Sequence, residues 1–214
     1  MASSSAAAKA TGASKTKDFE AQLRLDIPKI AEQVLAEELE RHTDGGRFAT
    51  ADASSDASLE IMPYLVVTFI GNDQVRPWVV LGTRLKDSGG RPKWGRQYFA
   101  GVGEVRQLGG EQGWASNDGA PLRAAVDRNL RLAIDVILRE ASGALSHTTG
   151  RSVKVEGNWA WRKEPMELAA QVLHESEEIL VVDPKISFFI EGSMFVEGVN
   201  ILDKKAVTLT AEPK

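Results

Sequence analysis

The sequence predicts an α+β fold: an antiparallel meander with two packed helices, followed by a small, barrel-like β-rich C-terminal domain. Three observations carry this. Three β-type runs lie between residues 58 and 100 and are separated by short turns. Two segments, one before and one after these runs, repeat apolar residues at the helical period. Beyond residue 150, short β-type segments recur between turns, the rhythm of a small barrel or a curled sheet.

Taken in order, residues 1–17 hold no large apolar side chain after Met1 and cannot join a core. They are small, polar and mildly basic, the composition of a flexible tether, and lack the apolar stretch of a signal peptide. The first helix opens at Pro28, after Asp26 and Ile27, because proline suits a first helical turn. Ile30, Val34, Leu35 and Leu39 make its apolar face, Glu32, Glu37, Glu38 and Glu40 cover the other, and Gly45-Gly46 stops it. Residues 49–57 read as a loop or a poorly ordered edge.

The meander follows. Residues 58–71 form a strand in which Pro63 marks an edge or a bulge. Asn72-Asp73 turns the chain into residues 75–85, where Trp78, Val80 and Gly82 alternate with Val79, Leu81 and Thr83. Asp87-Ser88-Gly89-Gly90 turns it again into residues 93–100, with Trp94, Arg96 and Tyr98 on one face. Residues 101–119 are a glycine-rich loop. The second helix begins near Pro121, after Asn117-Asp118-Gly119, and repeats Leu122, Val126, Leu130, Ala133, Ile134 and Ile137 through to Leu138. Arg123, Asp127, Arg128, Arg131 and Arg139 face water, Gly143 closes the helix, and its apolar stripe packs on one face of the sheet.

In the tail, residues 152–156, 168–173, 179–182, 186–190 and 206–210 read as strands, with turns at Glu191-Gly192-Ser193 and Asp203-Lys204. Residues 168–174 have helical propensity, but their neighbours are strands, so a strand is expected there too. The division is a tether over 1–17, an α+β domain over 18–150 and a β-rich domain over 151–214.

Composition excludes several chemistries. The net charge of −4 exerts no general pull toward nucleic acid or anionic lipid. The absence of cysteine removes disulfides, thiolate metal sites and a cysteine nucleophile. No apolar run approaches the ~18–20 residues of a membrane-spanning helix. His42, His147 and His174 show no recurrent ligand spacing, so no metal site is expected; His174 with Glu175, Glu177 and Glu178 reads as a solvated turn. Gly101-Val102-Gly103 begins like a dinucleotide fingerprint, but Arg106 stands where the third glycine belongs, and Gly109, Gly110 and Gly113 interrupt any following helix. There is no phosphate-binding loop, no nucleophile elbow and no carboxylate pair in an acid–base context, so neither catalytic residues nor a cofactor is expected.

Tryptophan is the unusual feature, with five residues. Trp78 and Trp94 fall on meander strands as core, and Trp114 caps the sheet–helix core. Trp159 and Trp161, two apart on one strand face beside Arg162 and Lys163, are the candidate binding residues together with Arg162. Exposed, such rings would stack on a sugar, a nucleobase or a peptide; buried, they would line the interface between the two parts of the chain.

The order of elements resembles the mature part of uncharacterised bacterial outer-membrane lipoproteins. The resemblance spans about residues 18–142: a helix, a three-strand meander, and a long helix preceded by Trp114-Ala-Ser-Asn-Asp-Gly-Ala-Pro-Leu-Arg. That region is similar in order to the domain shared by curli-secretion lipoproteins and penicillin-binding-protein activator lipoproteins. The resemblance implies a periplasmic body held at the outer membrane by a lipidated cysteine at the mature N-terminus; here that position is Met1 and the anchor is absent from this chain. The leading expectation is a non-enzymatic cell-envelope protein that binds another envelope protein or a wall polymer and not nucleic acid. The alternatives are a glycan or small-ligand module built on the tryptophan pair, and a cytoplasmic enzyme with an unrecognised carboxylate site.

Overall fold

A computed structural model describes residues 25–42, 56–70, 74–145, 147, 150–160, 162–185 and 198–211. Two helices, α1 (Ile27–Arg41) and α2 (Ser116–Ala141), accompany nine strands among these residues: β1 (Ala57–Ile70), β2 (Gln74–Asp87), β3 (Pro92–Ala100), β4 (Arg106–Gln107), β5 (Ser152–Gly157), β6 (Met166–Glu175), β7 (Ile179–Pro184), β8 (Val199–Asp203) and β9 (Thr208–Ala211). The α+β class is as the sequence predicts.

Local chemistry explains the helix ends. Asp26 caps α1 by accepting from the Lys29 N–H at 3.1 Å, with Pro28 in the first turn. In α2, Asn117, Asp118 and Gly119 all adopt left-handed backbone angles, the residue types that tolerate them, so the regular helix begins after Gly119 with Pro121 in its opening turn. Arg131 of α2 joins the two helices: it reaches Glu37 at 2.6 Å and Glu38 at 3.3 Å while holding Asp127 on its own helix at 2.9 Å.

The strands form one sheet in the order β1-β2-β3-β8-β7-β6-β5-β9, with β4 paired to the start of β2. All neighbours are antiparallel except β3 and β8, which run parallel through Tyr98–Val199, Phe99–Asn200 and Ala100–Ile201. The expected division near residue 150 falls between α2 and β5, and strands from either side of it share this sheet.

Both faces of the sheet are covered. On one face α1 and α2 lie over Leu65, Val79, Leu81, Tyr98, Val181 and Ile201. The other face folds onto itself around Trp78, Val80, Phe99, Val155, Trp159, Val172, Leu180 and Leu202. The curl is strong enough that the Thr68 hydroxyl on β1 donates to the carbonyl of Ala160, just past β5 near the far end of the strand order. β2 sits between the two cores, which is why residues 75–83 are buried without interruption rather than alternating with solvent.

Three expectations need correction. The C-terminal part is not a closed barrel: its strands continue the meander's sheet, and among the described residues β1 and β9 are its separate edges. The last strand begins at Thr208, because Lys204–Ala206 form a short 3-10 turn capped by the Asp203 carboxylate on the Lys205 N–H. The short strand β8 was not expected, and it makes the join between the halves. The strand expected over 186–190 and its turn lie outside the described residues.

The glycine-rich loop after β3 is held by a buried side chain. Asn129 Oδ1 accepts from the Val102 N–H at 2.8 Å, and its Nδ2 donates to the Val102 carbonyl at 3.1 Å and to the Ala125 carbonyl at 2.9 Å. The amide thus acts as a strand partner for one residue of loop. Asn129→Leu keeps the volume but strands both Val102 groups in the core, and we expect a loss of about 2–4 kcal/mol in urea unfolding. A change under about 0.5 kcal/mol would show that the amide pair is replaceable.

Candidate functional site

Of the three candidate binding residues, the two described ones, Trp159 and Arg162, do not share a surface. Trp159 is 0% exposed in the inner core, and its indole N–H donates to the Met166 carbonyl at 2.9 Å. Gly157 and Asn158 end β5 and turn the chain inward, so the ring fills the curl of the sheet instead of facing solvent. Trp161 lies outside the described residues. Arg162 is exposed, and its backbone N–H donates to the Trp159 carbonyl at 3.0 Å in a tight turn. The other tryptophans follow their expected roles. Trp78 is enclosed in the inner core, Trp94 packs edge-on to Tyr98 with ring centres 6.3 Å apart, and Trp114 donates to the Val75 carbonyl at 2.8 Å beneath the Arg106 guanidinium.

A polar cluster that the sequence did not reveal lies where the end of α2 meets the sheet. Alternation along β3 puts Arg96 and Tyr98 on the helix-facing side, and Asp183 of β7 lies on the same side as Val181. α2 delivers Glu140, and His147 returns over them from the loop. Tyr98 donates to Glu140 Oε2 at 2.9 Å. His147 is held between two carboxylates, with Nε2 3.0 Å from Glu140 and Nδ1 2.9 Å from Asp183. Both contacts are hydrogen bonds only when each ring nitrogen carries a proton. Arg96 Nη1 lies 3.0 and 2.9 Å from the two ring nitrogens, which places it over the imidazole face, and 3.3 Å from Asp183.

Burial, and then the Glu140 charge, push the Tyr98 phenol far above its ordinary range, so it stays a neutral donor. Glu140 is the hub: its side chain is 8% exposed and meets Tyr98, His147 and Arg96. Glu140→Leu leaves a buried hydroxyl, the Arg96 guanidinium and the His147 ring facing an apolar side chain. The expected loss is about 2–4 kcal/mol in chemical denaturation, with Tyr98→Phe near 1 kcal/mol. Equal effects from the two variants would mean that Glu140 serves the tyrosine alone.

Four other carboxylates are lowered by their partners. Glu37 is lowered first by the hydrogen bond from Arg131, and Glu60 by that from Lys86. Asp87 is lowered first by the Arg91 backbone N–H, and Glu175 by Lys204 and then Arg151. A raised carboxyl, the usual general acid, is the opposite condition. Among the described residues, no group of three or more histidine, aspartate or glutamate side chains is arranged to hold a metal ion.

The remaining surface feature is β1. Among the described residues its fourteen residues pair with β2 along one side only, which leaves the other side as a sheet edge. Met62, Tyr64 and Phe69 are the exposed large apolar side chains among the described residues, and all three are on this strand; Tyr64 is 52% exposed. Met62 and Tyr64 lean together over Gly82 of β2, where no side chain separates them from the sheet. Natural edges of this length are usually shortened, charged or covered. Here Glu60, paired with Lys86, and Pro63 are the interruptions.

Comparison with protein-family models, with curated proteins and with solved structures found no match to this chain.

Proposed function

We propose that this protein is a non-enzymatic binding component of the cell envelope that receives an extended segment of a partner protein along β1. The carrying observation is the long strand β1, paired on one side only among the described residues, with its exposed Met62, Tyr64 and Phe69. An added strand would complete the free row of backbone groups, and its alternate side chains would cover the apolar ones. The burial of Trp159 supports a binding role other than glycan stacking. The polar composition of residues 1–17 supports an envelope body carried on a leash.

The test is photo-crosslinking in the native cells from a reactive residue at position 64, with exposed Arg162 as the control position. The reading predicts a discrete adduct with an envelope protein from position 64, lost when Val66→Pro disrupts the strand. Adducts with cytosolic proteins alone would remove the envelope part, and equal adducts from position 162 would remove β1 as the docking edge. The cluster of Tyr98, Glu140, His147 and Asp183 favours a second reading, a hydrolytic enzyme. Turnover of a chromogenic ester, phosphoester or glycoside that disappears in His147→Ala would move it to the front.

A further inference from the structure

The helix above the β1 edge reaches past it. α1 packs on α2 and on β1, while α2 covers β2 and β3. Glu37 and Glu38 of α1 meet Arg131 of α2. At about 100° per residue, Leu35 and Leu39 fall on the flank opposite Glu37, and so away from α2. That flank overhangs the outer side of β1, yet both leucines are half-buried against the helix-side core. The chain direction there follows from four contacts. Trp114, just before α2, donates to the Val75 carbonyl at the start of β2, and Glu140 near the end of α2 accepts from Tyr98, which lies opposite Leu81 further along β2. α2 therefore runs with β2 and against β1. The pairs Glu37–Arg131 and His42–Asp135 make α1 parallel to α2. The chain thus enters α1 at the end of β1 that holds Phe69, the residue opposite Val75.

A segment lying along β1 and feeding α1 at that end runs parallel to β1. Parallel neighbours need a long crossover, usually a helix, and α1 with the residues that link it to β1 supplies one. Residues 18–24 lie outside the described residues and immediately precede Leu25, which is half-buried against the same core as Leu35 and Leu39. Asp18-Phe19-Glu20-Ala21-Gln22-Leu23-Arg24-Leu25 alternates polar and apolar without a break, the period of a strand with one covered face. Seven extended residues reach about 23 Å, enough to line half of β1. We propose that residues 18–24 form a strand on the outer edge of β1, parallel to it, with Phe19, Ala21 and Leu23 beneath the Leu35–Leu39 flank of α1. The proposal rests on the reading of β1 as a docking edge and adds its regulation: the chain's own strand holds the backbone groups that a partner segment takes, so the partner enters by displacing it. A resident strand also keeps the edge from pairing with other chains. Its polar row falls on the face of Met62 and Tyr64, which agrees with the exposure of both.

The chain has no cysteine, so Glu20→Cys gives a single attachment point for a spin label on the full chain. Paramagnetic broadening of the amide NMR signals is expected to concentrate on β1, and to lose that focus when the label is moved to Ser14→Cys. Gln22→Pro with Leu23→Pro removes two successive N–H groups, one of which must face β1. This double variant is expected to abolish the broadening of β1 while the signals of α2 stay in place. In the native cells it is expected to raise the yield of partner adduct from a photo-reactive residue at position 64 about threefold or more, because an occupied edge lowers the apparent affinity by the fraction left open. Broadening spread evenly over the sheet, or helical shifts in residues 18–24, would overturn the strand. An unchanged adduct yield in the proline variant would overturn its competition with the partner. Adducts from position 64 without broadening of β1 would remove this strand and leave the docking edge standing. Broadening of β1 with no adduct from either form would support the strand and remove the partner.

Discussion

Gly198→Val is expected to be among the most damaging single substitutions in this protein. Gly198 enters β8 where that strand docks parallel to β3, and a Cβ there would press into the Gln97 carbonyl oxygen and stand 2.9 Å from the Phe99 ring. The obstacle on one side is backbone, which cannot rotate away as a side chain does. Alanine should therefore cost about 2–3 kcal/mol and valine more, at or above the upper end of overpacking effects. The join runs through three residue pairs, and it holds Val199 and Ile201 under the helices and Leu202 in the inner core. Hydrogen exchange should consequently show lost protection in β8 and at the end of β3, while the β1–β2 hairpin, paired along fourteen residues of each strand, stays protected. Stability within about 0.5 kcal/mol of the parent for Gly198→Ala would show that the parallel join bends freely.

The same residue explains what the sequence revealed and what it hid. The meander was legible because its information is local: Asp87-Ser88-Gly89-Gly90 turns the chain through the Asp87 carboxylate, which accepts from the Gly89 N–H at 3.0 Å and the Arg91 N–H at 2.9 Å. Both helices were legible because one stripe of each is apolar and polar residues punctuate their ends. β8 has no such signal. Val199–Asp203 is short, its neighbour β3 lies about a hundred residues earlier, and both of its faces are buried, so alternation with solvent never appears. The open curl instead of a barrel follows from that one parallel pairing, which short regular strands cannot announce.

The polar cluster was hidden for a related reason. Glu140 and His147 are seven residues apart, but the helix ends at Ala141 between them, and Asp183 follows thirty-six residues later on a separate strand, so no single repeat groups the three. They converge because the C-terminal end of α2 rests over β3 and because β8 places β7 within reach of Arg96. What the sequence did carry was the grouping of Trp94, Arg96 and Tyr98 on one face, a charged residue between two aromatics on a strand that packs under a helix. A half-buried arginine of that kind draws acidic partners, and this was the available clue. Arg76 on the inner face, whose Nε is buried without a hydrogen-bond partner among the described residues, leaves the same question open on the opposite side of the sheet.

Trp159 is where the sequence's functional candidate and the structure's core coincide, and its replacement separates the two roles. A stacking platform can be truncated to alanine with loss of ligand and little loss of stability. A core indole cannot. Trp159 is fully enclosed among Trp78, Val155, Leu180 and their neighbours and donates to the Met166 carbonyl, which also fixes the start of β6. Trp159→Ala is expected to lose about 3–5 kcal/mol, the usual cost of removing a large buried aromatic ring. Trp159→Phe should recover most of the packing and leave a deficit of about 1 kcal/mol from the missing N–H donor. Urea midpoints of the two variants give this difference directly. The curl adds a further consequence: with the ring gone, the segment that carries Ala160 loses its seat, and the Thr68–Ala160 hydrogen bond should loosen with it. Exposure of the β1–β5 seam would then appear as faster amide exchange at residues 66–68, far from the substitution in sequence. If Trp159→Ala instead unfolds at the parental urea concentration, the indole is not holding the curl closed, and the aromatic-platform reading regains its claim on Trp159.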